Sequence, residues 1–146
     1  MAGYSGTPLA KKLGIKDGFR IALLHVPDDV KAALRDAFAK CQIQRISCKN
    51  QDKDLDFIFF FAKSRAGLEL ELRPAAKALA PAGMLWISWP KKSSGVVTDI
   101  TGDVIRQSGL DAGLVDIKVC AVTEVWSGLK FVIPVNDRPK QKRRNT

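Results

Sequence analysis

The chain has little of what a metal or redox centre requires. Its 146 residues hold three cysteines and one histidine, with no Cys-x-x-Cys pair. The spacings of structural zinc sites and of dithiol redox motifs are therefore missing, and no metal ligand set is expected. Cys41, Cys48 and Cys120 each fall in or at the end of an apolar element, where a free thiol behaves as a small hydrophobe. No apolar run approaches the roughly 20 residues that cross a bilayer. The most apolar stretch, residues 55–62 (LDFIFFFA), is strand length. The opening MAGYSGTPLAKK has no basic region followed by an apolar one, so no secretory signal is expected. The reading is a cytoplasmic chain with no membrane partner.

Charge is abundant but lopsided. Twenty-four Lys and Arg stand against fifteen Asp and Glu, for a net charge of +9. Residues 137–146 carry Arg138, Lys140, Lys142, Arg143 and Arg144 against Asp137, which is +4 of that total and leaves +5 for the body. Such a tail either touches phosphate without sequence preference or is a solvated charge run. The body carries no aromatic-rich RNA-binding signature, so nucleic acid stays an alternative partner. Composition is otherwise globular, with 46% hydrophobic and 27% charged residues. The length suits one domain with a full core. Residues 1–6 are expected to form an arm, 7–135 the domain, and 136–146 a basic, disordered tail.

Periodicity supplies the order of elements. Thr7-Pro8 reads as the cap and first-turn proline of a short helix that Gly14 ends. Residues 19–25 are the first strand. Val30, Leu34, Ala37, Phe38 and Cys41 share one face of a helix over 29–40, with Lys31, Arg35 and Asp36 turned outward. Residues 43–48 are the second strand, and the apolar run 55–62 is a third, covered on both faces. Ser64 caps the next helix, which presents Leu68, Leu72, Ala75, Ala76 and Leu79 inward and which Pro74 kinks or divides. A Pro-Ala-Gly turn leads into a strand over 84–89. A polar loop follows, then a helix capped by Thr98 or Thr101 and closed by Gly109. Val115, Ile117, Val119 and Ala121 alternate with Asp116 and Lys118 in a strand with one solvated face. Residues 123–128 turn the chain into a final strand over 129–134. Alternation of strand and helix predicts an α/β, three-layer Rossmann-like domain with right-handed crossovers, mostly parallel, ending in an antiparallel hairpin.

The last half of this pattern, with Leu79-Ala80-Pro81-Ala82-Gly83-Met84-Leu85-Trp86-Ile87, resembles the C-terminal half of a class I methyltransferase fold. Gly14-Ile15-Lys16-Asp17-Gly18-Phe19-Arg20-Ile21 resembles the approach to that fold's first strand. The resemblance implies a reduced version, short by one strand–helix unit between Cys48 and Leu55. Two positions depart from the family. Its glycine-rich cofactor turn is His25-Val26-Pro27-Asp28-Asp29, and its ribose-binding acid is Cys48-Lys49. The resemblance therefore carries the fold but not the S-adenosylmethionine site, and no cofactor is assigned. Over nearly its full length the chain also resembles a bacterial domain family of unknown function, numbered 3052. Ala2-Gly3-Tyr4-Ser5-Gly6-Thr7-Pro8-Leu9, Trp89-Pro90-Lys91-Lys92-Ser93-Ser94-Gly95 and the segments around Cys120 and Trp126 carry that likeness.

In an open α/β sheet a ligand lies beyond the carboxyl ends of the strands. That rule gathers His25 and Asp28, Lys63, Ser64 and Arg65, then Trp89, Lys91, Lys92, Ser93 and Ser94, and finally Glu124 and Trp126. Helix starts on that rim add N–H groups that favour an anion, and Gly95 suits an anion nest. The expected ligand is an anionic or nucleotide-like molecule on Lys91, Lys92, Ser93 and Ser94 with Trp126 as a stacking wall. The bland reading makes the lysines solvated and the tryptophans core, above all Trp86 within its strand. His25 is either a satisfied strand-end histidine or, with Asp28 or Glu124, an acid–base pair. The leading function is a noncatalytic domain that binds an anionic small molecule or a protein partner. The alternatives are a group transferase with a rebuilt cofactor site and nonspecific nucleic-acid association through the tail.

Overall fold

The computed structural model describes residues 8–46 and 54–138. Thr7, Cys48, Lys49 and most of the basic tail thus lie outside the described residues. Six strands form one sheet in the order β2-β1-β3-β4-β6-β5. They are β1 Arg20–Leu24, β2 Gln42–Ile43, β3 Leu55–Phe61, β4 Leu79–Pro90, β5 Val115–Ala121 and β6 Trp126–Val132. The pairs β1–β2, β1–β3 and β3–β4 are parallel, and β4–β6 and β5–β6 are antiparallel. The expected mixed sheet with a terminal hairpin is the one observed.

Helices cover both faces. On one side α4 (Arg65–Ala78) and α5 (Gly102–Asp111) bury Leu68, Leu72, Ala75 and Ile105 against Ile58, Phe60, Ile87 and Phe131. On the other, α1 (Leu9–Leu13), α2 (Asp28–Ala33) and α3 (Arg35–Ala39) bury Leu13, Val30 and Phe38 against Phe57, Phe59, Phe61 and Trp86. Each fully buried large side chain contributes about 1.5–3 kcal/mol relative to an exposed one. Trp86 is core, as expected, and its Nε1 donates to the Leu13 carbonyl at 2.9 Å. Cys41 and Cys120 are free and pack beside this second layer, and burial pushes both thiols up. They behave as the small hydrophobes the sequence suggests.

Local details differ from the pattern in several places. The expected strand over 43–48 is Gln42–Ile43 among the described residues, Leu79 opens β4 rather than packing from α4, and the final strand is Trp126–Val132 rather than 129–134. The expected helix over 29–40 is two short ones, broken at Leu34 (φ −107°, ψ 11°). Pro74 does not divide α4. It lies on the exposed face, where the carbonyl of the preceding turn that loses its N–H partner can meet water. The Pro-Ala-Gly turn lies inside β4, as an irregularity between the Leu55↔Leu79 and Phe57↔Met84 pairs. Gly109 does not close α5, which continues to Asp111; Gly113, at φ 89°, takes the left-handed conformation instead. The alternation in β5 is shifted at Ile117, between the Asp116↔Phe131 and Lys118↔Lys130 pairs, so Ile117 and Val119 are exposed rather than inward. Of the helix caps, Ser64 accepts from Gly67 N at 3.1 Å and Thr101 from Val104 N at 3.3 Å. Thr98 serves elsewhere.

Two substitutions test this packing. A Cβ at Gly109 would stand 2.1 Å from Phe131 Cε1, so Gly109→Ala is expected to lower stability in urea by about 1–3 kcal/mol through overpacking. Ser88 Oγ is buried without a hydrogen-bond partner among the described residues. An orphaned buried hydroxyl costs about 1–3 kcal/mol. Ser88→Ala is therefore expected to leave urea stability unchanged or raised, and a loss would show that the hydroxyl has a partner.

Candidate functional site

The chain leaves β1 for β2 on one side and returns through β3 on the other. The carboxyl ends of β1 and β3 therefore part at a topological switch point, where such sheets place ligands. A cleft of about 700 Å³ opens there, lined by His25, Val26, Pro27, Phe60, Phe61, Ala62, Lys63, Ser64, Gly67, Glu71 and Trp126. Its floor is apolar because β3 ends in three consecutive buried apolar residues. Trp126 closes one wall by an edge-to-face contact with Phe61, centroids 4.8 Å apart, and Phe61 leans in turn on Phe59 at 4.6 Å. Thr123 holds this wall in place by accepting from the Trp126 and Val125 N–H groups, both at 3.1 Å.

Of the expected rim residues, His25, Lys63, Ser64 and Trp126 line the cleft. The others lie on neighbouring parts of the same end. Trp89 is half-buried against the core on the α4/α5 side. Glu124 is exposed in the turn before β6. Lys91, Lys92, Ser93 and Ser94 form the loop after β4, a single 3₁₀ turn over Lys92–Ser94. That loop is partly closed on itself. Ser94 Oγ donates to the Lys91 carbonyl at 2.6 Å and accepts from Val96 N at 3.2 Å, and Ser94 N donates to the Lys91 carbonyl at 3.0 Å. The turn spends its own polar groups on closing itself. It is tied to the cleft wall all the same, since Lys91 N donates to the Val125 carbonyl at 2.7 Å.

The same holds at the start of α4. Arg65 N donates to Asp99 Oδ1 at 2.8 Å, and Ser64 Oγ takes the Gly67 N–H. Thr98 Oγ1 clasps the Lys63 carbonyl at 2.6 Å and brings Asp99 into position. A carboxylate is the natural occupant of a helix N-terminus, and here the chain supplies it. An incoming anion must therefore rely on the lysine side chains.

His25 is the feature that sequence reading places but does not partner. Its Nε2 meets Glu71 Oε2 of α4 at 2.5 Å, not Asp28 or Glu124. It is also the one non-glycine residue with positive φ among the described residues, at 60°. Histidine is enriched in that region relative to most residues, but Glu71 is 46 residues away in the chain and no local signal marks it.

The S-adenosylmethionine cradle of the resembling fold fits this turn poorly. His25, Val26 and Pro27 bring side chains where that fold has glycine, and Pro27 has no N–H to offer. Asp28 and Asp29 occupy the first turn of α2, where negative charge already complements the helix N-terminus and disfavours a second anionic group. The Cys48-Lys49 position lies outside the described residues. Among those described, no group of three His, Cys, Asp or Glu is placed to hold a metal ion. No helix is long and apolar enough to cross a membrane.

The strain at His25 has a measurable consequence. A left-handed non-glycine residue costs about 1–2 kcal/mol, whereas an exposed ion pair contributes about 0–1 kcal/mol, and the His25 side chain is 62% exposed. His25→Gly is therefore expected to keep or raise urea stability, and His25→Val to lower it by about 1–3 kcal/mol. Equal losses in both variants would show that the Glu71 contact, not the backbone, governs this turn.

Three solved structures share the fold. A TehB-like SAM-dependent methyltransferase from Corynebacterium glutamicum is 13% identical, with 90% of each chain covered and a TM-score of 0.53. A SAM dependent methyltransferase from Aquifex aeolicus is 16% identical over 86% of this chain and 88% of its own, TM-score 0.53. A putative type 11 methyltransferase from Sulfolobus solfataricus is 13% identical over 94% and 93%, TM-score 0.54. At these identities the likeness is one of fold, the class I methyltransferase fold that the sequence resembles. No curated protein matches the chain in sequence. The model of one family, described as a protein of unknown function (DUF3052), matches residues 10–135, and the chain belongs to that family.

Proposed function

We propose that this chain is a noncatalytic binding domain whose switch-point cleft takes a small anionic molecule with an apolar, planar body. One observation carries the reading. The cleft joins an apolar floor of Phe60, Phe61 and Ala62 and an indole wall at Trp126 to the cationic rim residue Lys63. Apolar clefts with a few placed polar groups are the usual form of small-molecule sites. The body of the ligand would rest on Trp126, where aromatic faces favour planar groups. Its charge would meet Lys63, with Lys91 and Lys92 on the loop that Val125 ties to the same wall. Glu71 also lines the cleft, where its carboxylate is engaged by His25.

A second reading, a group transferase with a rebuilt cofactor site, is favoured by the His25–Glu71 pair standing in that cleft. An imidazole oriented by a carboxylate is the usual form of a general base. The fold of the methyltransferase structures adds to it.

A thermal-shift series of the full chain against nucleotides, acyl-coenzymes, phosphosugars and S-adenosylmethionine separates the two. A ligand at 100 times its dissociation constant stabilises by about 2.7 kcal/mol. A nucleotide or acyl-coenzyme is expected to raise the melting temperature, with the shift lost in Lys63→Glu and kept when residues 139–146 are removed. A shift with S-adenosylmethionine alone replaces the binding reading by the transferase. No shift from any compound overturns the small-molecule site and leaves a protein partner as the object of search.

A further inference from the structure

A second cationic region lies on the opposite helix layer from α4 and α5. Trp86, Lys130 and Lys118 are successive cross-strand neighbours on β4, β6 and β5 and so share one face of the sheet. Trp86 places that face under the end of α1 through its bond to the Leu13 carbonyl. Lys118 Nζ donates to the neighbouring Lys12 carbonyl at 3.3 Å. The row thus brings the Lys118 ammonium to the last turn of α1, which carries Lys11 and Lys12, with Lys130 opposite Lys118 on β6.

Like charges directly opposite on adjacent strands destabilise a sheet, so the pair Lys118↔Lys130 calls for a reason. The carbonyl end of α1 accounts for one ammonium. It leaves Lys12 and Lys130 without a carboxylate partner among the described residues. Lys130 is also half-buried, and burial together with Lys118 pushes its pKa down. A chain that holds uncompensated cations together is arranged for an anion from outside.

We propose that Lys12, Lys118 and Lys130 form a binding stripe for the phosphate backbone of a nucleic acid. The three lysines cluster where α1, β5 and β6 meet, in a chain of net charge +9, and cations gathered on one face of a basic chain are the electrostatic footprint of nucleic-acid binding. Binding of this kind is sequence-independent and releases about 0.9 counterions per phosphate contacted on duplex DNA. The stripe is separate from the cleft and does not depend on its ligand.

Fluorescence anisotropy of the full chain with a labelled 20-base-pair mixed-sequence duplex, between 50 and 200 mM NaCl, is the test. Three phosphate contacts predict a log–log salt slope near −2.7 and a loss of roughly 40-fold across that range. The double variant Lys12→Glu, Lys130→Gln leaves the Lys118 bond to the Lys12 backbone in place. It is expected to weaken binding at 50 mM at least about 10-fold and to reduce the slope by about 1.8, with an unchanged or raised melting temperature, since the opposed like charges are relieved. Should that variant unfold, Lys11→Glu with Lys12→Glu on the surface of α1 is expected to weaken binding in the same direction. Undiminished binding in a folded variant overturns the stripe, as does binding abolished by deletion of residues 139–146 alone. Absence of duplex binding at 50 mM, or binding only to phosphatidylserine vesicles, overturns it as well.

Discussion

Phe57, Phe59 and Phe61 face one layer of helices from β3, and Ile58, Phe60 and Ala62 face the other. Burying both rows at once is the constraint on which the rest of the domain depends. A strand with two dry faces must lie inside a sheet and be covered on each side, so β1 and β4 flank it and the helices divide between the faces. The same rows build the site. Where β3 ends, its alternating apolar side chains continue into the cleft floor, and the aromatic contacts Phe57–Phe59, Phe59–Phe61 and Phe61–Trp126 lead from the core to the ligand wall. Any change that loosens the core along this row reaches the cleft.

The rim above that floor is held largely by contacts within the chain. Three devices that elsewhere would greet an anion are already occupied here. Asp99 sits on the first N–H of α4, Asp28 and Asp29 fill the first turn of α2, and the loop after β4 folds onto its own hydroxyl and carbonyl. Each of these contacts stabilises the local backbone and each removes a backbone donor from a ligand. The cation that lines the cleft is the side chain of Lys63, which is longer and less fixed than an N–H group.

Cationic groups are accordingly found in two separate regions. Lys63, Lys91 and Lys92 belong to the carboxyl end of the parallel strands, whereas Lys12, Lys118 and Lys130 gather over the hairpin side beneath α1. The irregularity at Ile117 matters to the second region. It shifts Asp116 toward Arg106 of α5, with Arg106 Nε donating to Asp116 Oδ2 at 3.1 Å, and leaves Lys118 to reach the Lys12 carbonyl. Acid and base, adjacent but one in the sequence, are thereby drawn to different partners, and the lysine row keeps its charge.

What the sequence by itself determined was whatever depends on neighbours a few residues apart. The run 55–62 declared a strand covered twice, the spacing of Leu68, Leu72, Ala75 and Ala76 declared a helix face, and Ser64 declared one helix start and Thr98 or Thr101 another. The element order followed, and with it the fold class and the end of the sheet where a cleft must lie. Of the rim that this rule gathers, His25, Lys63, Ser64 and Trp126 line the cleft. Tertiary structure decided everything that joins distant segments. His25 finds Glu71 and Arg65 finds Asp99 only because β1, β3 and the loop after β4 end side by side. Gly109 reads as a helix stop until Phe131 is packed against it, and Lys118 and Lys130 read as unrelated solvent charges until β5 and β6 pair. Periodicity encodes which face of an element is buried, whereas partners are set by strand order and register. A single shift such as that at Ile117 changes those partners without leaving a mark on the local pattern.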